Sequence, residues 1–376
     1  MDTRPTAALI PAAGTSARMG ELKPLLPLAG KAVIENSIDR LRSAGVACIR
    51  VVVGHRAAEL TPIIEKAGAL WIENPGFSSG MLSSIQTGLR VLPENFGAFF
   101  VLPADMPLFR VSTIAALREA GSAGRAQICF PTFEGRRGHP PLLAMALKER
   151  ILAWHGEGGL QGFMENLNTD TLDVPVADEG ILLDLDTPED YHRACRRAEK
   201  LEIPTEAECL ALMTMRFGQT AAVIRHCRAV ATIALTLAAE LNRAGCDLDP
   251  DLVQAAGLLH DVAKGKPDHA AAGATLLSAL GFDRVAAVVG EHMNLAAPRG
   301  GPLDERELVY LADKLVQGDR LVAMQSRFED KLDRHGDDPL IRSAIIRRRD
   351  QATAVKARIE KWLQQPLESV LSREKP

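Results

Sequence analysis

From Ala7 to Phe133, short apolar runs and segments of helical period take turns along the chain. The runs AALIPA (7–12), IRVVVGH (49–55), ALWIEN (69–74), AFFVLPAD (98–105) and QICFPTF (127–133) have strand length. Between them, VIENSIDRLRSAG (33–45), AELTPIIEKAG (58–68), MLSSIQTGLRVL (81–92) and VSTIAALREAG (111–121) repeat their apolar residues at helical spacing. This alternation predicts an α/β domain with a Rossmann-like, mostly parallel sheet covered on both faces. After about Ala198 the pattern changes, and from Glu206 onward nearly every segment has helical period with no alternating strand. The charged stretch EKLEIPTEAE (199–208), with Pro204 and a helix cap in Thr205, marks the boundary. The expected organisation is an α/β domain over 1–200, an all-α domain over 206–330 and a charged helical tail over 331–376. In the tail, acids interrupt the cations of IIRRRDQATAVKARIEKWLQQ, which predicts a solvated capping helix around Trp362 rather than an RNA-binding arm.

Composition narrows the partners more than the fold. The 376 residues carry a net charge of −4 with 47% hydrophobic residues, enough apolar material for two cores. Mixed, mildly acidic charge gives no electrostatic case for nucleic acid or a membrane surface, and small-molecule partners fit better. Six scattered cysteines with no CxxC pair read as reduced, mostly buried thiols, which points to the cytoplasm. No apolar run approaches the length of a membrane span, and the amino-terminal AALIPAAG is too short for a signal peptide.

The first candidate chemistry lies in LIPAAGTSARMGELKPLL (9–26). It has neither the GxxxxGK[ST] of a P-loop nor the GxGxxG of a dinucleotide fold. A strand running out into Ala12, Ala13 and Gly14 lets backbone N–H groups face a ligand closely, with Arg18 and Lys23 in reach of the same anion. A solvated turn with two surface cations explains the same residues. Three further stretches bear on the choice. AFFVLPADMPL ends an apolar run at Asp105, where open α/β sheets collect ligands. GILLDLDTPEDY ends another at Asp184 and Asp186, and two such carboxylates at strand ends suit magnesium, although a helix cap is the plainer role for Asp184. NPGFSSGMLSSIQTGL leads through Gly80 into a helix whose first turn offers Ser83 and Ser84 to phosphate.

In order, AAGTSARMGELKPLLPLAGK, GMLSSIQTGL, LPADMPL, RRGHPPLL and DLDTPEDY resemble the molybdopterin cytidylyl- and guanylyltransferases, over about Thr6 to Ala198. The resemblance implies a sheet of nucleotidyltransferase type. It also implies transfer of a nucleoside monophosphate from a nucleoside triphosphate to a phosphorylated acceptor such as molybdopterin, releasing pyrophosphate, with a molybdoenzyme under maturation as a further partner. It assigns nucleotide binding to the loop Ala12, Ala13, Gly14, Ser16 and Gly20, neutralisation of the triphosphate to Lys23, and Mg2+ to Asp105 and Asp186. The attacking phosphate is already anionic, so alignment and charge stabilisation by Lys23, Arg18 and the metal suffice without a general base. His139 of the Gly-His-Pro loop is equally a turn residue or an acceptor contact, and His55 reads as an exposed loop residue. The guanine branch resembles Leu-Ala-Gly-Gly at the loop and the cytosine branch Ala-Ala-Gly. Pro11-Ala12-Ala13-Gly14 therefore favours CTP, the Ala13 methyl narrowing the base pocket.

The second half carries AVIRHCRAVA, AAGLLHDVAKGKPDHAAAGATLL, VVGEHMNL and LVYLADKLV. A buried His260–Asp261 pair alone is a hydrogen-bonded core couple. With His226 on an earlier helix, His269 and His292 on later ones and Asp313 beyond, nitrogen and oxygen donors from several helices suit iron, manganese or a similar divalent metal. This order, over about Glu206 to Ala323, resembles the HD superfamily of metal-dependent phosphohydrolases. For that family His226, His260, Asp261 and Asp313 imply one metal, and His269 and His292 match members that hold two, with Asp261 bridging and Lys264 retained. The expected substrate is nucleotide-like. A metal-holding sensor that turns nothing over is the alternative to an enzyme.

Overall fold

The computed structural model describes residues 4–14, 21–167, 170–295 and 301–372. β1 (Thr6–Pro11) is buried at every residue, as an uninterrupted apolar run demands of a strand covered on both faces. A small hairpin of β2 (Pro27–Leu28) and β3 (Lys31–Ala32) leads into α1 (Val33–Ser43). Next come β4 (Cys48–Val53), α2 (Ala57–Lys66), β5 (Leu70–Glu73), α3 (Met81–Arg90), β6 (Ala98–Val101) and α4 (Val111–Ser122). The remainder is β7 (Ile128–Phe133), β8 (Arg136–Arg137), β9 (Leu142–Ala144), α5 (Lys148–Leu152), α6 (Gly159–Glu165), β10 (Thr171–Pro175) and α7 (Pro188–Glu199).

The sheet runs β10-β7-β9-β6-β1-β4-β5, with β8 paired to β7. β1 is parallel to both β4 and β6. The chain thus moves outward from β1 through β4 and β5, then returns to lay β6 on the other side. The carboxyl ends of β1 and β6 form the crevice where such sheets bind ligands. On one face Leu9, Ile85, Leu89, Phe99 and Leu143 belong to a single buried cluster, so α3 is locked beneath the loop after β1.

The sheet is mostly parallel, as expected, with β1–β4, β1–β6, β4–β5 and β7–β10 parallel, while β9 is antiparallel to both β6 and β7, and β8 to β7. One feature departs from the sequence expectation. The run GILLDLD does not form a strand. Residues Glu179–Leu182 make a 3-10 turn and 183–186 continue without a strand partner. The cause is Asp178, 1% exposed, whose carboxylate accepts from Arg110 N, Thr113 Oγ1 and Gly180 N and pulls the chain into a turn.

The chain divides into compact units at 1–201 and 202–376. In the second, α8 (Glu206–Phe217) starts from a capping box of Thr205 and Glu208. It is followed by α9 (Ala222–Arg243), α10 (Pro250–Leu259), α11 (His269–Ala279), α12 (Asp283–Glu291) and α13 (Glu305–Leu315). A short hairpin, β11 (Val316–Gln317) and β12 (Arg320–Leu321), interrupts the helices. Then α14 (Met324–His335), α15 (Pro339–Leu363) and α16 (Leu367–Leu371) close the unit. α9 is long and apolar enough to cross a membrane by length and composition, which the sequence reading overlooked; half of its most apolar window is buried within the unit. At Gly257 an added Cβ would lie 2.7 Å from Ala231 Cα, so α10 approaches α9 as closely as backbones allow. The tail helix α15 buries Ile345, Ala352, Val355 and Ile359 and packs against α9 and α13. Trp362 is 42% exposed.

Candidate functional sites

In the first unit a cleft of about 310 Å³ opens at the ends of β1 and β6, lined by Ala12, Ala13, Gly14, Lys23, Phe77, Gly80, Ser84 and Asp105 among others. Ala12 and Ala13 form its floor, 4% exposed each, with Ala12 N bonded to Val52 O and Ala13 O accepting from His55 N. His55 is half-buried, its ring 6.3 Å from Phe77, and is not the exposed loop residue expected. Gly80, at φ +94°, turns the chain into α3 in a conformation that disfavours any side chain. Ser84 lines the cleft, whereas the Ser83 hydroxyl turns back to Gly80 O and Gly76 O. Asn74, which sequence reasoning missed, holds both serines: its Nδ2 donates to Ser83 Oγ at 2.9 Å and Ser84 Oγ at 3.0 Å. Its only sequence signal is the Asn-Pro-Gly turn after β5.

Lys23, in a 3-10 turn (Lys23–Leu25), is the hub of the cleft. Its Nζ donates to Asp105 Oδ2 at 2.9 Å and to Asp186 Oδ1 at 2.6 Å. Asp186 reaches this point because Leu185 N bonds Asp105 O at 3.2 Å. Burial works against the Lys23 charge, but both carboxylates outweigh it and raise its pKa. Thr187, not Asp184, caps α7. Burial first, then the charges of Asp186, Asp105 and Asp190, raise the Asp184 carboxyl. His139 lies close enough to feel Asp105; burial lowers its pKa, and its Nδ1 is buried without a hydrogen-bond partner among the described residues. Arg18, Ser16 and Gly20 lie outside the described residues.

The second unit gathers all six predicted metal-binding side chains, five of them around Asp261, beside a cavity of about 560 Å³. They come from helix ends as much as from helix bodies. His226 sits on the first turns of α9, and His260 and Asp261 where α10 unwinds, so the helix ends before the pair rather than running through it. His269 opens α11, His292 follows α12, and Asp313 lies on α13. On one side of the Asp261 carboxylate, Oδ2 is 3.6 Å from His260 Nε2 and 4.0 Å from His226 Nε2. On the other, Oδ1 is 3.3 Å from His269 Nε2 and 3.8 Å from His292 Nε2. Asp313 Oδ1 joins the first side, 3.2 Å from His226 Nε2 and 3.9 Å from His260 Nε2.

The surroundings orient these donors. His226 Nδ1 donates to Gly318 O, His260 Nδ1 to Gly257 O and His292 Nδ1 to Val289 O, which leaves each Nε2 turned to the carboxylates. Burial lowers the pKa of His260, and burial with the neighbouring His260 and Lys314 lowers His292 to about 3, so both are neutral imidazoles. Burial opposes the charge of Asp261, yet the His269 bond, His260 and Lys264 hold its carboxyl well below the usual range. Asp313 is likewise held down against burial by Lys314, His226 and Arg327. Ionised carboxylates and neutral imidazoles are the protonation states that metal ligation needs. His260 Nε2 is buried with no hydrogen-bond partner among the described residues, an orphan that a bound cation would satisfy. The donor set therefore fits a divalent metal. Sequence reasoning missed Lys314, whose Nζ ties Asp313 Oδ2 at 2.7 Å to His292 O at 3.1 Å.

Comparison with known proteins defines the class of each half. Residues 8–172 match the MobA-like NTP transferase domain and residues 223–317 the HD domain. The chain thus joins a region that matches the MobA-like NTP transferase domain to one that matches the HD domain. The molybdenum cofactor cytidylyltransferase of Escherichia coli is 28% identical over 197 residues, covering 50% of this chain and 95% of that protein. A phosphoenolpyruvate guanylyltransferase from Rubrobacter xylanophilus is 28% identical over 187 residues, 48% of this chain and 87% of its own length. Among solved structures, a nucleotidyl transferase from Methanothermobacter is 22% identical, with a TM-score of 0.46 over 52% of this chain and 98% of its own.

Proposed function

We propose that the first unit transfers a nucleoside monophosphate, from CTP in preference to GTP, to a phosphorylated acceptor of the molybdopterin kind, releasing pyrophosphate. The observation that carries this reading is the Lys23 ammonium lodged between Asp105 and Asp186, two carboxylates converging on one cation position at the sheet crevice. Mg2+ held there by Asp105 and Asp186 would supply positive charge to the phosphates. Lys23, released from one carboxylate, neutralises charge that develops on the triphosphate, an effect worth about 3 to 4 kcal/mol for a well-aimed donor. The open backbone at Ala12–Gly14 receives the nucleotide, and Ser84 at the start of α3 faces the same cleft. The cytidylyltransferase relative and the Ala-Ala-Gly loop support CTP; the guanylyltransferase relative, named for a different base and acceptor, makes the acceptor the point to test. Six free cysteines suit work in the reducing cytoplasm.

The second unit we read as a phosphohydrolase acting on a nucleotide-like phosphate ester or anhydride. Support comes from Asp261, whose two oxygens each face a separate pair of histidines. His226, His260 and Asp313 would hold one divalent metal, iron or manganese, and His269 and His292 a second, with Asp261 shared. Such a pair supplies a water of lowered pKa and charge for the phosphoryl oxygens. Lys264, bonded to Asp261, stands ready to meet the substrate's phosphate.

The test uses purified full chain. Pyrophosphate release from CTP or GTP with a molybdopterin acceptor should favour CTP, and Mn2+-reconstituted protein should hold close to two metals and release phosphate or a nucleoside monophosphate from a nucleotide panel. A chain inert with CTP and every acceptor sinks the first reading. A metal-loaded chain that cleaves nothing sinks the second and leaves a metal-holding sensor.

A further inference from the structure

The cavity beside Asp261 carries more positive charge than the metal ligands need. Six cationic side chains line it, Lys264, Lys314, Arg327, Lys331, Arg334 and Arg348, against the carboxylates of Asp261, Asp313 and Asp330. Most of these cations are already engaged. Lys264 donates to Asp261, Lys314 to Asp313, and Arg327 to Asp313 Oδ1 at 3.4 Å and to Val316 O. Arg334 reaches Asp330 at 3.4 Å, and Arg348 Nε reaches Asn294 Oδ1 at 3.1 Å. Lys331 differs. It is half-buried in the cavity wall and has no hydrogen-bond or ion-pair partner among the described residues. Burial and the nearby Arg327 and Lys314 push its ammonium down to about 8. An unpaired ammonium held among other cations is costly to keep charged, and an anion from outside the chain would offset that cost.

Lys331, Arg334 and Arg348 stand on α14 and α15, beyond residue 317 where the HD match ends. We propose that these helices carry a second phosphate subsite centred on Lys331. The ligand of the second unit would then bear two linked phosphoryl groups, one at the Asp261 centre and one on the α14–α15 wall, as in a pyrophosphate, a nucleoside polyphosphate or a dinucleoside polyphosphate. The location rests on the phosphohydrolase reading, but the anion site does not require turnover. Lys314 and Arg327 are consumed in holding Asp313, and Lys264 beside Asp261 serves the group at the metals, so the charge on the α14–α15 wall answers a second group. A cavity of about 560 Å³ has room for such a ligand.

The test is equilibrium binding to Mn2+-loaded full chain in which Lys23→Ala and Asp105→Ala have disabled the anion site of the first unit. Inorganic pyrophosphate should bind more tightly than inorganic phosphate. Lys331→Met should weaken pyrophosphate roughly 10- to 100-fold, the worth of one charge-assisted hydrogen bond, and phosphate by less than about threefold. Lys331→Arg should restore most of the loss, and metal content should stay unchanged. The melting temperature of Lys331→Met should equal or exceed the parent's, since a costly charge has been removed, whereas a merely structural lysine would lower it. Binding ATP better than AMP, with the difference abolished in Lys331→Met, would place the subsite in nucleotide recognition; pyrophosphate alone responding would make it a site for the free anion. Pyrophosphate held no better than phosphate, or unaffected by Lys331→Met, overturns the subsite. If the subsite binds as expected while no phosphoanhydride is cleaved, it is the hydrolase reading that fails.

Discussion

Asp261→Asn removes one charge while keeping the side chain's shape, and its consequence can be worked from the ligand geometry. The two carboxylate oxygens face separate histidine pairs, at 3.6 and 4.0 Å on one side and 3.3 and 3.8 Å on the other. Unit charges about 4 Å apart interact by about 4 kcal/mol at an effective dielectric of about 20, so a carboxylate attracts each of two divalent ions by about 8 kcal/mol. Two such ions about 4 Å apart repel by about 16 kcal/mol on the same scale, and the shared carboxylate just offsets this. Without it the repulsion stands uncompensated. One ion can still be kept by His226, His260 and Asp313, because Asp313 Oδ1 faces that side alone. Metal analysis of Asp261→Asn after dialysis should therefore fall from close to two ions per chain to one or fewer, with phosphohydrolysis reduced at least about 10³-fold. Transferase activity should stay within about twofold, as expected when the two sites lie in separate units and act independently. A variant retaining two ions would refute the bridging role of Asp261, and one retaining two ions but no hydrolysis would reassign it to chemistry alone.

Asp105→Ala should cut pyrophosphate release from CTP about 10²- to 10³-fold or more while leaving nucleotide hydrolysis intact; transferase activity near wild type would remove Asp105 from the metal site. Ala13→Gly should move the ratio of kcat/KM for CTP and GTP towards GTP by about tenfold, the usual worth of one methyl group in a pocket, and an unchanged ratio in direct competition would refute the base-pocket argument. Metal-free protein should lose stability on acidification: the folded pKa of His292 is about 3, below its unfolded value of 6.5, so the unfolded chain binds the proton first. Stability contributed by His292 is present above about pH 6.5 and falls by about 1.4 kcal/mol per pH unit below it, with His260 shifting the same way. Chelated protein melted between pH 7.5 and 5.5 should show this decline, flattened in His292→Leu; a flat wild-type profile would contradict it.

Much of both sites was legible because their residues stand next to strong punctuation. Asp105 follows an apolar strand and His260–Asp261 closes an apolar helix, and in each case the periodicity stops where the chemistry begins. What escaped depended on tertiary packing. GILLDLD has a strand's composition, and only the buried Asp178, bonded to Arg110 and Thr113 far earlier in the chain, makes it a turn. Asn74 was hidden because its role is a distance, not a pattern. The tail was read by its exposed charge, but the charges of one helix do not face one way. Ile345, Ala352, Val355 and Ile359 form a buried stripe, and Arg348, in the same helix, lines the cavity of the metal centre.

The helix ends show how a folded chain makes such a centre with little extra sequence. His260 and His292 each stand at the C-cap of their helix, and each Nδ1 donates to the carbonyl three residues back, Gly257 O and Val289 O. Those carbonyls belong to the last turn, where intrahelical donors run out; Val289 O has besides this only a long bond from His292 N, at 3.3 Å, among the described residues. One bond therefore caps the helix, fixes the tautomer and leaves Nε2 free for a cation. The negative ends of α10 and α12 dipoles also converge there, favouring positive charge before any ligand bond forms. The same geometry explains the cost borne without metal: two neutral imidazoles and two carboxylates are packed together, and Lys314 and Lys264 must serve as stand-in cations. Lys23 plays that part between Asp105 and Asp186. In both units, then, a lysine marks where positive charge is wanted. In the first, on the proposed reading, the lysine would be exchangeable for a cation carried in with the nucleotide. In the second, Lys314 is 2% exposed and tied to a ligand on either side, so it stays in place and the centre is built around it.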